Sequence, residues 1–268
     1  MNASTLSSPS SSLRPPVENP LTRPVLTDAL RETVTRRTGA ALTRLNEAVT
    51  DFGSNGEVVF ANSLGAEDMV LTDIILHNQL PIVPFSLDTG RLPAETYDLI
   101  HAVEQHYATR LKIYFPEAAE VEHYVSTHGI NAFYQSVDLR KACCSIRKVR
   151  PLMRALQGKR AWVTGLRAAQ STTRTGLPER ERDTSFGDAL GAAPLEKFNP
   201  LSAWSEQEVW AYIRIHTVPY NALHDRFYPS IGCAPCTRAI AAGEDVRAGR
   251  WWWEDPTSKE CGLHVKKG

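Results

Sequence analysis

Apolar positions recur along the chain with two periods, and the alternation between them predicts most of the architecture. Residues 27–52 place Leu30, Val34, Leu42, Leu45 and Val49 on one face of a helix. Glu57-Val58-Val59-Phe60-Ala61 is a short apolar strand running into Asn62-Ser63-Leu64-Gly65-Ala66-Glu67-Asp68, then a helix over 69–77. A second strand over 81–87 leads through Asp88-Thr89-Gly90 to a helix over 93–106. Strands over 111–115 and 160–164 follow, with a helix over 143–156 between them. Residues 205–215 read as a helix with Ser205 as N-cap and Glu208 at the capping-box position. Strands alternating with helices predict an α/β fold, a parallel sheet flanked by helices on both faces. Residues 167–194 are polar and aperiodic, the signature of a long functional loop or lid.

Composition narrows the class. The 268 residues suffice for one large core, or a core plus a small appendage. The formal net charge is zero, which argues against a nucleic-acid binder. No apolar run reaches the roughly 18 residues a membrane span needs. The first 24 residues are rich in Ser, Pro, Thr and Asn without an apolar stretch, predicting a disordered leader rather than a secretory signal. Three units are expected: the leader 1–24, an α/β body 25–246 and a C-terminal tail 247–268. Trp251, Trp252 and Trp253 cannot share one face, so some must meet a partner or another part of the chain. Homo-oligomerisation is left open.

The five cysteines carry the chemistry. Without a secretory signal they fit the reducing cytoplasm, as ligands or catalysts rather than disulfides. Cys143-Cys144 and Cys233-Ala-Pro-Cys236 are two close pairs able to hold a metal or an iron–sulfur cluster. Spacing alone leaves zinc and iron–sulfur open, beside plain structural cysteines on a solvated basic helix. Adjacent cysteines point apart, which is awkward for one zinc, whereas a cuboidal cluster can take them at different irons. Arg140, Lys141, Arg147, Lys148 and Arg150 supply cations to offset thiolate charge. Cys261, in Lys259-Glu260-Cys261-Gly262-Leu263-His264, is left over. With Lys259 and His264 beside it, and Arg247 and Arg250 in reach if the tail folds back, it is the candidate nucleophile. The alternative is a spare surface cysteine.

Two loops complete the set. Ser63 and Gly65 lie where a strand end meets a helix N-terminus, a place suited to phosphate, though the Lys-Ser/Thr of a P-loop is absent. Leu87-Asp88-Thr89-Gly90-Arg91 sits on the same sheet edge. The competing readings are an ordinary βα turn and a helix cap by Asp88 or Thr89.

Together these residues resemble the assimilatory branch of the adenylylsulfate/phosphoadenylylsulfate reductase family, over about residues 40–268. The cysteine pairs and the terminal Lys-Glu-Cys-Gly-Leu-His carry the resemblance. It implies an adenine-nucleotide α-hydrolase-like (ATP-pyrophosphatase-like) fold with a mobile C-terminal tail. It implies a [4Fe-4S] cluster on Cys143, Cys144, Cys233 and Cys236, and adenylylsulfate as substrate, since relatives lacking the pairs use the 3′-phosphorylated compound. It implies Cys261 as the catalytic nucleophile and a thioredoxin or glutaredoxin-like reductant as partner. Substrate contacts are expected from Ser63, Asp68, Leu87, Asp88, Gly90, Lys148, Arg167, Arg174, Arg247, Arg250 and His264. One departure is Asn62-Ser63-Leu64-Gly65, where many members have Ser-x-Ser-Gly. The alternatives are reduction of the 3′-phosphorylated substrate and a non-enzymatic iron–sulfur or zinc redox sensor. A ligase or thiolase on the same fold needs a Ser-Gly-Gly-x-Asp-Ser loop that is not here.

Overall fold

The computed structural model of the chain describes residues 19, 22–53, 56–170, 176–187, 195–241 and 243–255. Arg174, Cys261 and His264 lie outside them. Thr27 caps α1 (Asp28–Phe52), its hydroxyl accepting the Leu30 N–H at 3.2 Å. There follow β1 (Val58–Ala61), α2 (Ala66–His77), β2 (Val83–Leu87), α3 (Ala94–His106), β3 (Lys112–Tyr114) and α4 (Ala118–His128). Next, α5 (Val137–Cys144) runs through a π-helical turn (Ser145–Val149) into α6 (Arg150–Leu156). The chain then forms β4 (Ala161–Val163), β5 (Arg180–Arg182), β6 (Glu196–Phe198) and α7 (Glu206–His216).

The six strands make one sheet in the order β3-β2-β1-β4-β6-β5. All neighbours are parallel except β5 on β6. Strand pleating sends alternate residues to opposite faces. Val58, Phe60, Ala161 and Val163 join α1, α2, α3 and α7 in the larger core. Val59 and Trp162 join Leu152, Ala155 and Leu156 of α6 in the smaller one. Helix α2 is buried almost all round, from Asp68 through Ile75, which explains why it lacks an amphipathic period. Its Asp73 carboxylate accepts the Tyr107 and Tyr212 hydroxyls at 2.9 and 2.7 Å.

Several sequence expectations need correction. Helix α2 starts at Ala66 rather than 69, because Gly65 is its N-cap and Glu67 and Asp68 fill the first turn. The cysteine pair closes a helix instead of opening one: Ser136 caps α5, accepting the Leu139 N–H. Helix α4 went unpredicted because it buries only Tyr124. The polar stretch 167–194 contains β5, whose Arg-Glu-Arg has no apolar alternation, and β6 follows it. Asn19 and Thr22, assigned to the leader, are buried; Asn19 Nδ2 donates to the His224 carbonyl and Thr22 Oγ1 to Asp225. The capping box of α7 forms as expected, with Ser205 and Glu208 exchanging bonds. Among the described residues no helix is long and apolar enough to cross a membrane.

Candidate active site

Strand order reverses at β1, with β2 on one side and β4, reached after the intervening helices, on the other. Ligands of open α/β sheets bind at such a switch point, outside the carboxyl ends of the strands. A cavity of about 190 Å³ lies there. Its walls are Ala61, Asn62 and Ser63 after β1, Leu87 at the end of β2, and Thr164, Gly165 and Leu166 after β4. Glu67, Asp68, Trp162, Lys148 and Gly232 complete the polar and aromatic lining.

Asp68 ties the two central loops together. Its Oδ2 accepts the Ser63 N–H at 2.6 Å and the Ser63 hydroxyl at 2.5 Å, and its Oδ1 lies close against Gly165 on the β4 side. Burial pushes this carboxyl up to about 6, against the pull of the Ser63 bonds. Gly165 is required here: a Cβ on it would stand 2.1 Å from Asp68 Oδ1. Leu64 holds a left-handed φ of 63°, with its N–H bonded to Asn62 Oδ1 at 2.7 Å. Arg167 is buried behind Glu67, with Nε and Nη2 both 2.7 Å from Glu67 Oε1.

The second loop turns at Gly90, where φ is 69°. Asp88 Oδ1 accepts the Gly90 N–H at 2.7 Å and the Tyr97 hydroxyl at 3.0 Å. The competing reading, a helix cap by Asp88 or Thr89, fails, since Pro93 is the N-cap of α3. Thr89 instead reaches across the molecule: its Oγ1 lies 3.2 Å from Cys233 Sγ. Arg147 Nη1 donates to the Thr89 carbonyl at 2.6 Å, and the Ala234 N–H to that of Arg91 at 2.8 Å.

Those bonds deliver the Cys-x-x-Cys loop to the end of α5. Cys143, Cys144, Cys233 and Cys236 line one cavity together with Arg91, Phe133, Arg140, Arg147 and Lys148. Residues 140, 143, 144, 147 and 148 recur as a helical stripe, so adjacent cysteines do share one cavity. None of the four is in a disulfide. Burial pushes the Cys236 thiol up to about 12, opposed by Arg250 and Lys148; burial also raises Cys143, opposed by Arg147. Not every nearby cation serves this site: Arg140 is paired with Glu254, and Arg150 with Glu120.

The donor set fits an iron–sulfur cluster better than a single ion. Among the described residues no three His, Cys, Asp or Glu side chains are arranged to hold one metal ion, yet four soft sulfur donors surround one space flanked by cations. Trp251 Nε1, in the same apolar group as Cys236, is buried with no acceptor among the described residues.

Of the expected substrate contacts, Ser63, Asp68, Leu87 and Lys148 line the switch-point cavity. Asp88 and Gly90 shape the adjoining turn. Arg250 abuts the wall at Gly232, where a Cβ would lie 2.3 Å from its Nη2. Arg247 sits on the preceding turn, its carbonyl accepting the Arg250 N–H at 2.9 Å. The sequence reading missed Thr164-Gly165 and Ile231-Gly232. The first ends a parallel strand, the same signal that singled out Ser63 and Leu87.

Strand order and crevice define an adenine-nucleotide α-hydrolase-like fold. The chain belongs to the phosphoadenosine phosphosulfate reductase domain family, whose sequence profile matches residues 57–239. It is 58% identical over 236 residues to the adenosine 5′-phosphosulfate reductase of Allochromatium vinosum, covering 88% of each chain. It is 50% identical over 241 residues to that of Burkholderia cepacia, covering 90% of this chain and 94% of the other. Among solved structures it resembles the phosphoadenylyl-sulfate reductase of Candida auris in a phosphate complex, with TM-score 0.61 and 28% identity over 81% of this chain and 98% of that one. Yeast FAD synthetase in complex with FAD shares the fold alone, with TM-score 0.54 and 15% identity over 82% and 72% of the two chains.

Proposed function

We propose that this protein is an adenylylsulfate reductase, converting adenylylsulfate to sulfite and AMP in sulfate assimilation. The observation that carries the reading is the shared wall between the two cavities: Lys148 lines both the switch-point crevice and the four-cysteine site. A nucleotide at the strand ends then presents its anionic group to a cation fixed beside the cysteines. The names borne by relatives at 58% and 50% identity favour adenylylsulfate over its 3′-phosphorylated form.

In this reading the Cys261 thiolate attacks the sulfur of the sulfuric–phosphoric anhydride, the S–O bond breaks, and AMP leaves with the bonding pair. Repulsion between thiolate and sulfate must be cancelled by fixed cations, the part assigned to Lys148, Arg247, Arg250 and His264. Cys261 now carries an S-sulfonate. A thiolate of a thioredoxin or glutaredoxin-like dithiol attacks the Cys261 sulfur, and sulfite departs with the S–S bonding pair. The second thiol of the reductant displaces Cys261, so the dithiol supplies both electrons. Cys143, Cys144, Cys233 and Cys236 would hold a [4Fe-4S] cluster, which contributes charge and rigidity beside Lys148 rather than electrons. With those four committed, the chain has no resolving thiol of its own. Dithiol chemistry of this kind belongs in the reducing cytoplasm.

Intact mass spectrometry of anaerobically purified protein, exposed to either nucleotide without thiol, tests the reading. A sulfonate adduct on Cys261 forming faster with adenylylsulfate is expected, and its loss in Cys261→Ser with visible absorbance retained. An adduct only with the 3′-phosphorylated compound overturns the substrate, and none with either overturns the chemistry.

A further inference from the structure

The segment that leads into the C-terminal residues does not hang free. Residues 247–255 form a strap over the cysteine site. The Arg238 N–H donates to the Gly249 carbonyl at 3.0 Å and the Trp251 N–H to that of Cys236 at 3.3 Å, with an isolated bridge between Thr237 and Arg250. Trp251 is 1% exposed and holds a φ of 44°, a region bulky L-residues avoid. The strap is therefore held by its contacts and not by its own backbone preference.

One set of contacts comes from α5. Arg140 is fully buried, its Nε and Nη2 donating to Glu254 Oε1 and Oε2 at 2.9 and 2.7 Å. The same guanidinium lies 4.7 Å from the Trp251 ring, and that of Arg250 lies 4.7 Å from it too. One side chain, a turn before the cysteine pair, thus holds Glu254 and one side of the Trp251 ring, and Arg250, which abuts the nucleotide cavity, packs on the same ring. Burying an ion pair gains little over packing apolar groups, but a two-pronged pair dictates orientation as packing does not.

We propose that Arg140 and Glu254 are positioning residues for the nucleophile. The inference rests on the reductase reading: the pair anchors residues 247–255 to α5, and Cys261 follows Asp255 by six residues, a reach of at most about 20 Å. That anchoring holds Arg250 beside the crevice proposed for the nucleotide. Neither residue lines the switch-point cavity.

The test is Glu254→Gln in the full-length, anaerobically prepared protein. Single-turnover S-sulfonate formation on Cys261 is expected to slow by about tenfold or more, with AMP affinity within about twofold of wild type. Arg140→Lys, which keeps the charge and loses the fork, should fall between. Trypsin should cut after Arg247 or Arg250 about tenfold faster in Glu254→Gln, a readout independent of turnover. An unchanged sulfonation rate, or AMP affinity falling in step with it, overturns the proposal. If Glu254→Gln does not fold, Arg140→Lys is judged by the same criteria. If wild-type protein forms no adduct, the reductase reading fails instead, and unchanged tryptic cleavage in the variants defeats the clamp separately.

Discussion

Gly165→Ala probes the junction between the two central loops. The new Cβ would stand 2.1 Å from Asp68 Oδ1 and 3.1 Å from Glu67 Cβ. Gly165 is not among the glycines with positive φ, so alanine meets the contact and no backbone penalty. Asp68 cannot simply swing aside, since its carboxylate is buried and bonded to Ser63 at 2.6 and 2.5 Å. Overpacking a filled site costs about 1–3 kcal/mol, and each hydrogen bond lost by a charged acceptor about 1.5–3 kcal/mol. Relief through partial movement of the β4 loop keeps the sum near the lower figures, so the expected loss of stability is about 2–3 kcal/mol. Because both loops wall the same cavity, AMP affinity should fall by about tenfold or more. Urea unfolding and calorimetric titration with AMP measure the two effects. Stability within about 0.5 kcal/mol of wild type, together with unaltered AMP affinity, would refute the latch between the loops.

Two further outcomes follow from the same walls. The Asp68 carboxyl, raised from 3.8 to about 6 by burial, binds its proton more tightly folded than unfolded. Its contribution to stability therefore falls as pH rises through that window. Asp68→Asn should gain on wild type by up to about 3 kcal/mol between about pH 4 and 6 and run parallel above it; a flat or opposite difference in urea unfolding contradicts the buried carboxyl. Gly232→Ala places a Cβ 2.3 to 2.8 Å from three guanidinium atoms of Arg250. It should slow sulfonation of Cys261 by about tenfold while sparing the visible absorbance of the cysteine site; an undiminished rate would mean that Arg250 has room to move.

What the sequence disclosed depended on how much apolar surface each element buries. The strand at Val58–Ala61 and the capped α7 were legible because burial and capping leave strong local patterns. Helix α4 and strand β5 were not, because one buried tyrosine and an Arg-Glu-Arg triplet carry no period. At the site, glycine turns and paired cysteines announced themselves through residue type. The convergence of Thr89 on Cys233, 144 positions apart, and of Arg140 on Glu254, 114 apart, depends on tertiary packing that no local window contains. The sequence counted Arg140 among the cations serving the cysteines; only the fold reveals that a carboxylate has claimed it.

Lys148 has a last consequence. One residue, Lys148, walls both chambers, and any coupling between their occupants through it is reciprocal. Whatever factor a nucleotide imposes on the affinity of the cysteine chamber for its occupant, that occupant must impose on the affinity for the nucleotide. If Lys148 couples the two chambers, a measurement made in one is also a measurement of the other.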